Sequence, residues 1–434
     1  MMHKVSFFTL ILVSIGCLPL VAPAQSSIDW GNDGQMHYDD HIYRKNIRSV
    51  QLHQTTWNFS PPLLELGSNQ KLQLDFDDLD GDYKSYYYTF IHCDADWTPS
   101  DISPYDCVQG FTSDFMNNYA YSFGTYQKYT HYRLVFPGQA MKIVYSGNYI
   151  LKIYKDNNPD SIIFTKRFMV YENMLNIHAR EKQPIGEDMF SKQEIVFSIN
   201  TSQYRIADPF SALKIFILQN GRWDNAISGI QPQFVQDTAL QYFQDDGNIF
   251  DGGNQFRNFD MTSLRYNTEH IEAMIKNPNL EELQLKKDVP RPTIPYSVDP
   301  DIHGQYLLLT KDADSTPINA DYVIVHFYVP MDSAFTTGNL YIFGGLSDWQ
   351  CKRELMMHYD EKEKGYVGTA YLKQGYYDYQ YAFLKNGAKA ADVTLIEGNH
   401  METENIYTIY AYYRELTLNY DKLVGVRTIH APSN

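Results

Sequence analysis

The chain has 434 residues and a formal net charge of −16, and it is 44% hydrophobic and 15% aromatic, with 36 tyrosines and 24 phenylalanines. One hydrophobic core rarely grows beyond about 250–300 residues, so this length predicts two or three domains. The negative charge argues against binding to nucleic acid or to an anionic membrane through long-range attraction.

The N-terminus has the pattern of a secretory signal peptide. Lys4 precedes an apolar stretch, Val5–Gly16, and Ala22-Pro23-Ala24 is a small-x-small cleavage site. The apolar stretch is shorter than the ~18–20 residues that a membrane-spanning helix needs, and no second candidate follows it. We therefore expect residues 1–24 to be removed and the exported protein to begin at Gln25.

The cysteines leave a disulfide open. Cys93, Cys107 and Cys351 remain after the signal, and an oxidising compartment would allow a Cys93–Cys107 bridge. A buried free thiol fits Cys93 equally well, because its strand position is apolar. Cys17 suggests a lipoprotein, but Ser14-Ile15-Gly16 lacks the usual aliphatic residue three places upstream, so we expect no lipid there.

Residues 25–172 predict an N-terminal β-sandwich, because short alternating segments end in turn clusters. The predicted strands are Lys71–Phe76, Tyr88–Trp97, Tyr132–Phe136, Tyr149–Tyr154 and Ile162–Tyr171.

Residues 173–301 predict a middle β-rich domain with strands at Glu194–Asn200, Leu213–Asn220 and Gln233–Val235. Residues 245–254 have the composition of a calcium loop but not the EF-hand spacing, so we expect a hairpin turn. His270–Lys276 is either a short helix or a strand. Residues 286–301 contain four prolines and predict an extended connector.

Residues 302–434 predict a third sandwich that is similar to early-set immunoglobulin-like domains. Its strands are Tyr322–Val329, Leu340–Phe343, Tyr366–Leu372, Gly375–Phe383 and Ile406–Tyr413, the last long one. Alternation places Tyr377, Tyr379 and Tyr381 on one strand face. The predicted fold class is therefore all-β, with tandem immunoglobulin-like or early-set β-sandwich domains.

The segment Tyr88–Trp97 combines a strand pattern with ionisable residues. His92, Asp94 and Asp96 alternate along it about 6.5–7 Å apart, which permits metal chelation. The sequence nominates no further ligand, however, and the two aspartates more simply accept hydrogen bonds from backbone amides at the strand end. We expect neither a metal nor a cofactor at this segment.

Several blocks spread over the chain carry a family resemblance. They are IHCDADWTPS (91–100), SFGTYQKYTHYRLVFPG (122–138), SGNYILKIY (146–154), GGNQFRNFD (252–260), FGGLSDW (343–349), LKQGYYDYQY (372–381), EGNHMETENIYTIYAYYRE (397–415) and YDKLVGV (420–426). In combination they resemble the plug proteins of the bacterial type IX secretion system. Three turn positions depart from the expected pattern: Gln255 replaces Glu, and Gly124 and Gly138 replace Asn.

The resemblance implies a periplasmic, non-enzymatic protein without cofactor, metal or membrane span. It would bind, as a monomer within a complex, the periplasmic mouth of a large outer-membrane translocon barrel and seal the pore between export events. We expect exposed aromatic anchors and loops to carry this binding. The motif residues are expected to be structural: His92, Asp94, Asp96, Trp97, Asn254, Arg257, Asp260, Trp349, Glu402 and Glu404.

The alternative function is periplasmic carbohydrate binding by the third domain. Trp349, Tyr376 and Tyr379 would stack on sugar faces, although packing under a strand edge and cross-strand pairing explain them more simply.

An enzyme is not predicted. Residues 345–349 lack the closing glycine of a nucleophile elbow, and neither a HExxH nor a Walker motif is present. We expect the remaining acidic cluster to be a solvated turn: Glu397, His400, Glu402 and Glu404.

Overall fold

The structure is a computed structural model that describes residues 35–243, 247–278 and 280–432. β-Strands dominate it, which confirms the all-β prediction. In this part of the chain no helix is long and apolar enough to cross a membrane. The predicted signal peptide, Cys17, Asp245 and Asp246 lie outside the described residues. The helices are single turns: α1 (Pro104–Cys107), α2 (Pro209–Ala212), α3 (Thr316–Asn319) and α4 (Thr394–Glu397), with 3-10 turns at Gly186–Phe190, Gly345–Ser347 and Arg353–Leu355.

The first unit, residues 35–172, is a sandwich of two sheets. Its strands are β1 (His41–Ile42), β2 (Ile47–Gln54), β3 (Leu63–Glu65), β4 (Leu72–Asp78), β5 (Tyr86–Cys93), β6 (Val108–Gly110), β7 (Ser113–Phe115), β8 (Asn118–Tyr121), β9 (Thr130–Phe136), β10 (Met141–Ile143), β11 (Gly147–Lys155) and β12 (Ile162–Tyr171). One sheet has the order β1-β12-β11-β5-β7 with β3 beside β12, and the other β2-β4-β9-β8. Aromatic rings such as Phe76, Phe90 and Phe168 fill the space between them.

The remaining strands form two further sandwiches. They are β13 (Asn176–Lys182), β14 (Lys192–Asn200), β15 (Leu213–Gln219), β16 (Ile227–Ser228), β17 (Phe234–Gln236), β18 (Ala239–Tyr242), β19 (Ile249–Asp251), β20 (Arg257–Asp260), β21 (Ile271–Asn277), β22 (Leu280–Leu285), β23 (Tyr306–Leu308), β24 (Tyr322–Pro330), β25 (Gly338–Phe343), β26 (His358–Asp360), β27 (Gly365–Lys373), β28 (Gly375–Lys385), β29 (Asn405–Glu415) and β30 (Tyr420–Ala431).

The middle unit combines strands from two distant parts of the chain. One sheet has the order β13-β14-β18-β17, with β19 beside β14, and the other has the order β16-β15-β29-β30. Leu213 on β15 pairs with Tyr413 on β29, and Ile199, Ile217 and Ile409 pack between the two sheets. The C-terminal hairpin β29–β30 is thus half of one middle sheet.

The third unit lies between these two parts in sequence. Its sheets have the orders β20-β28-β23, with β25 also on β28, and β21-β22-β24-β27-β26. Phe259, Phe327, Tyr377 and Tyr381 fill its core. Here β22 pairs with β24 in parallel, whereas the neighbouring pairs are antiparallel.

These pairings differ from the predicted domain divisions. The prediction placed all of 302–434 in one sandwich, but β29 and β30 pair with β15, and β30 was not predicted at all. The prediction also placed β20–β22 in the middle domain, whereas they pair within the third unit. Alternation reports which strand face is buried, and it carries no information about which strand lies alongside.

Two local expectations are also resolved. The segment predicted as either helix or strand is strand β21, and it pairs with β22. The predicted connector over 286–301 is extended, but it lies inside the third unit, where Arg291 donates to Glu397 and Tyr381 to Asp288. It therefore does not separate two units.

Candidate functional site

His92 is locked inside the protein rather than offered to a ligand. Its side chain is 3% exposed, Nδ1 lies 2.7 Å from Ser100 Oγ, and Nε2 lies 3.1 Å from the Ser146 carbonyl oxygen. A carbonyl only accepts, so Nε2 carries the proton and Nδ1 accepts from Ser100. Burial lowers the pKa of His92, which keeps the ring neutral. Gly147, at φ +136°, leaves the space that this ring fills, since a Cβ there would lie 2.5 Å from Nε2.

Asp94 and Asp96 point to different partners. Asp94 accepts from Arg414 at 2.9 Å and from the Asp421 amide at 3.1 Å, both on the C-terminal hairpin. Asp96 is exposed and accepts from the Thr98 hydroxyl at 2.6 Å. Because His92 is hydrogen-bonded to Ser100 and Ser146, the side chains of His92, Asp94 and Asp96 do not converge on one metal position.

Trp97 completes a joint between the first and middle units. Its indole is 5% exposed, stands edge-on to Trp223 at 5.2 Å, and lies under the Arg167 guanidinium at 4.4 Å. Tyr412 of β29 reaches across the same joint and donates to Asn148 at 2.7 Å. The predicted strand ends at Cys93, and residues 94–97 form the turn that carries these contacts.

A second joint brings together two blocks that lie far apart in sequence. Asn254 donates to the Glu397 carbonyl at 2.7 Å, and Arg257 and Arg291 both donate to the Glu397 carboxylate. Glu397 is fully buried. Burial alone would raise its pKa, but the two guanidiniums lower it, so the carboxylate stays ionised.

The other residues predicted in these blocks have smaller roles. Asp260 accepts from the Thr262 amide and hydroxyl, at 2.8 and 2.6 Å, and so fixes the turn after β20. Glu402 and Glu404 are exposed, while Thr403 between them is buried and donates to the Gly253 carbonyl at 2.9 Å. The solvated-turn prediction therefore fits Glu402 and Glu404 but not Glu397.

The three rings of the sugar-binding alternative do not form one exposed platform. Trp349 packs edge-on against Phe343 at 5.7 Å and Phe256 at 5.9 Å. Tyr379 is 2% exposed and donates to Asp288 at 2.8 Å, while Tyr376 lies on the opposite strand face. The neighbouring Asp348 pairs with Lys166 of the first unit at 2.8 Å.

Sequence reasoning missed the buried network that joins the first and third units. Asp77 on β4 is fully buried and accepts from His131 at 2.8 Å, Tyr322 at 2.7 Å and Lys373 at 2.5 Å. Burial lowers the pKa of Lys373 although Asp77 opposes the change. Burial would also lower the pKa of His131, but bonds to Asp75 and Asp77 raise it. The predicted strand ended at Phe76, whereas β4 continues to Asp78 and the third unit contacts Asp77.

The Cys93–Cys107 bridge, which the sequence left open beside a buried free thiol, is not formed, and the three described cysteines are free. Cys107 belongs to the core of the first unit, whereas Cys93 packs at the joint with the middle unit. Burial raises the pKa of Cys93 to about 12 and that of Cys107 to about 11. Both therefore remain unreactive thiols at neutral pH.

The segment 105–126 of the first unit exposes several aromatic rings, and we call it the aromatic rim. Its exposed rings are Tyr105, Phe111, Phe115, Tyr119, Tyr121, Phe123 and Tyr126. It follows strands β7 and β8, which are the free edges of the two sheets of the first unit. Tyr119 and Tyr121 contact edge-on at 5.8 Å, and the Phe123 amide donates to the Ile318 carbonyl of the third unit at 2.8 Å. Exposed aromatic clusters of this kind mark interaction surfaces.

Comparison with known proteins identifies the family. The model of the type 9 secretion system plug protein first domain matches residues 47–172. A hypothetical protein from Parabacteroides merdae ATCC 43184, solved by crystallography, is 34% identical, with a TM-score of 0.88 over 91% of this chain and 100% of that chain. This chain belongs to the type 9 secretion system plug protein family. The predicted family is thereby confirmed.

Two other comparisons add nothing to this assignment. Trypsin-activated alpha-2-macroglobulin from Escherichia coli is 9% identical, with a TM-score of 0.18 over 88% of this chain and 28% of that chain, which carries no argument. No curated protein matches.

The family match places the site in context. The matched region, residues 47–172, contains the whole aromatic rim together with His92, Asp94, Asp96 and Trp97. Plug family membership implies a structural, non-enzymatic role in type IX secretion. The rim is accordingly the candidate functional surface, and the buried motif residues form the joints that hold it in place.

Proposed function

We propose that this protein is a periplasmic plug that seats against the periplasmic mouth of the type IX secretion outer-membrane barrel and seals its pore between export events. The observation that carries the proposal is family membership. The matched first domain also includes the aromatic rim, which is the exposed surface that such binding needs. Rigid, close-packed sandwiches suit this task, since their cores resist deformation.

The contacts between the three units support the proposal that the protein moves as one rigid body. Asp77 links the first unit to Lys373 of the third, and Asp94 links it to Arg414 of the middle unit. Arg222 of the middle unit donates in turn to the Ala391 carbonyl of the third at 3.1 Å. Each unit thus contacts both others, so a force on the rim is transmitted to the whole molecule.

Recognition in this proposal uses the aromatic rim as the anchor. Exposed Phe111 and Phe123 would enter apolar pockets at the barrel mouth, where burying one large ring contributes roughly 1.5–3 kcal/mol. The negative net charge then selects partners and influences the association rate more than it adds affinity.

The experiment is affinity capture of the barrel from detergent-solubilised outer membranes, combined with an outer-membrane leakage assay. We expect the double variant Phe111→Ser with Phe123→Ser to lose capture of the barrel. Expressed in a strain that lacks the gene, it should not restore the permeability barrier of the outer membrane. The control, Phe210→Ser with Phe234→Ser, removes two rings of the middle unit that are also more than half exposed, and it should retain both functions. Unchanged secretion and permeability after deletion of the gene would contradict the proposal.

A further inference from the structure

The first described residues form a compact loop against the edge of a sheet in the first unit. The His37 amide donates to the Tyr43 hydroxyl at 2.7 Å, and the Tyr43 amide donates to the Ile163 carbonyl at 2.9 Å. Strand β1 then pairs with β12, with His41 opposite Thr165. The loop therefore closes on itself and is fixed to the sheet at its far end.

Three consecutive residues of this loop are held from the sheet side. Arg167 donates from Nε to the Tyr38 carbonyl at 2.9 Å, and Thr165 donates from Oγ1 to the Asp39 carbonyl at 2.8 Å. The Asp40 carboxylate accepts from the Arg167 amide at 2.7 Å. Since main-chain positions on both sides of Asp39 are fixed, the side chains at 37, 39 and 41 are presented together.

These three side chains form a cluster of metal-ligating groups. His37, Asp39 and His41 each place a ligand atom within 4.8 Å of the others, and all three are half-buried. The two imidazoles stack, with ring centroids 4.1 Å apart. Asp39 Oδ1 is shielded from water and has no hydrogen-bond partner in the described structure. A shielded carboxylate oxygen without a donor is costly, and a cation would satisfy it.

We propose that His37, Asp39 and His41 form a binding site for a divalent transition-metal ion, with Zn²⁺ as the preferred occupant. Imidazole nitrogen and carboxylate oxygen are both ordinary zinc ligands, at about 2.0–2.2 Å, and imidazole selects Zn²⁺ over Mg²⁺ and Ca²⁺. Binding requires the two rings to turn out of their stack and away from Tyr43, which contacts both, so that a lone pair of each meets the ion. Three protein ligands leave the fourth position to water.

Another cluster of carboxylates in the first unit already contains a cationic side chain. Asp78, Asp80 and Asp82 also bring their carboxylates together, but the Lys84 ammonium contacts all three, at 2.8 Å from Asp78 and 3.3 Å from Asp82. That cluster already holds a cation from its own chain. The cluster at 37–41 has two imidazoles in place of two of those carboxylates.

The test is calorimetric titration of ZnCl₂ into the full chain, expressed whole and purified without a polyhistidine tag. We expect one Zn²⁺ per chain, and a Kd at least about tenfold weaker in His37→Gln and in His41→Gln, which corresponds to 1.4 kcal/mol. Asp39→Asn should change the Kd in the same direction. His178→Gln, an exposed histidine on β13, should bind like the parent chain.

A second measurement keeps the proposal testable if a variant fails to fold. Co²⁺ added to the unaltered chain should give visible ligand-field bands of a low-coordinate site, and Zn²⁺ should bleach them while Ca²⁺ does not. Absence of saturable Zn²⁺ binding would overturn the proposal. So would Zn²⁺ binding that the 37, 39 and 41 variants leave unchanged, because it would then be adventitious.

Discussion

At the scale of the residue, ionisable side chains shielded from water hold the joints of this molecule together. Asp77 and Glu397 are both fully buried, and each is surrounded by cationic or hydroxyl donors from other segments. A buried ion pair adds little net stability over an apolar substitute. Removing one partner, however, leaves a buried charge without a counter-charge and is strongly destabilising. The joints are therefore intolerant of single changes.

The Glu397→Gln variant tests this at the second joint. It removes the carboxylate that pairs with Arg291 and leaves Arg257 paired with Asp288, so we expect a loss of about 3–5 kcal/mol in the free energy of unfolding. Urea denaturation followed by tryptophan fluorescence measures it. The exposed Glu402→Gln should change stability by no more than about 0.5 kcal/mol, and equal losses in both variants would contradict the assignment.

Asp378 gives the protein a pH dependence of stability. The carboxyl is fully buried, Oδ2 accepts from the Ile302 and Gly304 amides, and Oδ1 has no partner in the described structure. Burial, and then repulsion from Asp301, raises its pKa to about 8. Because the folded pKa exceeds the unfolded value of about 3.9, the stabilising contribution is complete below that value and is lost as the pH rises towards 8.

The Asp378→Asn variant should remove this slope. We expect its melting temperature to exceed that of the parent chain by an amount that grows between pH 5 and pH 8 and then levels off. Thermal melts across that pH range measure the difference, with the exposed Asp332→Asn as the charge control. A parallel shift of the two melting curves at every pH would refute the raised pKa.

At the scale of the element, the sequence predicted strands better than it predicted what covers them. The alternation of β28 places Tyr377, Tyr379 and Tyr381 on one buried face, as expected. On β5 the alternation was also correct, but the core of the first unit takes the Phe90 face, while Cys93 faces the middle unit. Both faces are covered because a neighbouring unit packs on the second one. The local sequence pattern does not tell whether a strand face is covered by another unit or by water.

The C-terminal hairpin is the element whose role was least predictable. Ile409 on β29 is fully buried in the middle core, so we expect Ile409→Ala to lose about 2–5 kcal/mol in unfolding free energy. Thr408→Ala, one position away on the outer face, should lose less than about 1 kcal/mol. Chemical denaturation measures both, and similar losses would mean that β29 does not pack in this register.

At the scale of the whole molecule, the three sandwiches should unfold as one cooperative body. The Trp97→Ala variant empties the joint between the first and middle units, where Trp223 and Arg167 contact the indole. We expect about 3–5 kcal/mol of destabilisation and a calorimetric transition that splits or broadens. Trp57→Ala, at a position that is 57% exposed, should leave a single transition.

The site could be predicted only in part at this scale. The sequence singled out the blocks around Trp97, Arg257 and Trp349, but the residues that these blocks contact, Arg414, Glu397 and Lys166, lie far away along the chain. The aromatic rim was expected only as exposed anchors in general, because exposure depends on which sheet edges stay unpaired. Topology decides that, and β7 and β8 became edges only once the strand order was known.

The C-terminal hairpin completes one sheet of the middle sandwich. The middle sandwich therefore cannot finish folding until β29 and β30 have been synthesised. Leu213 pairs with Tyr413, so one edge of β15 stays unpaired until β29 has been synthesised. A bare edge is a template for unwanted strand pairing and an entry point for proteases. We therefore expect a chain truncated before β29 to be cleaved more readily than a chain that contains the C-terminal hairpin.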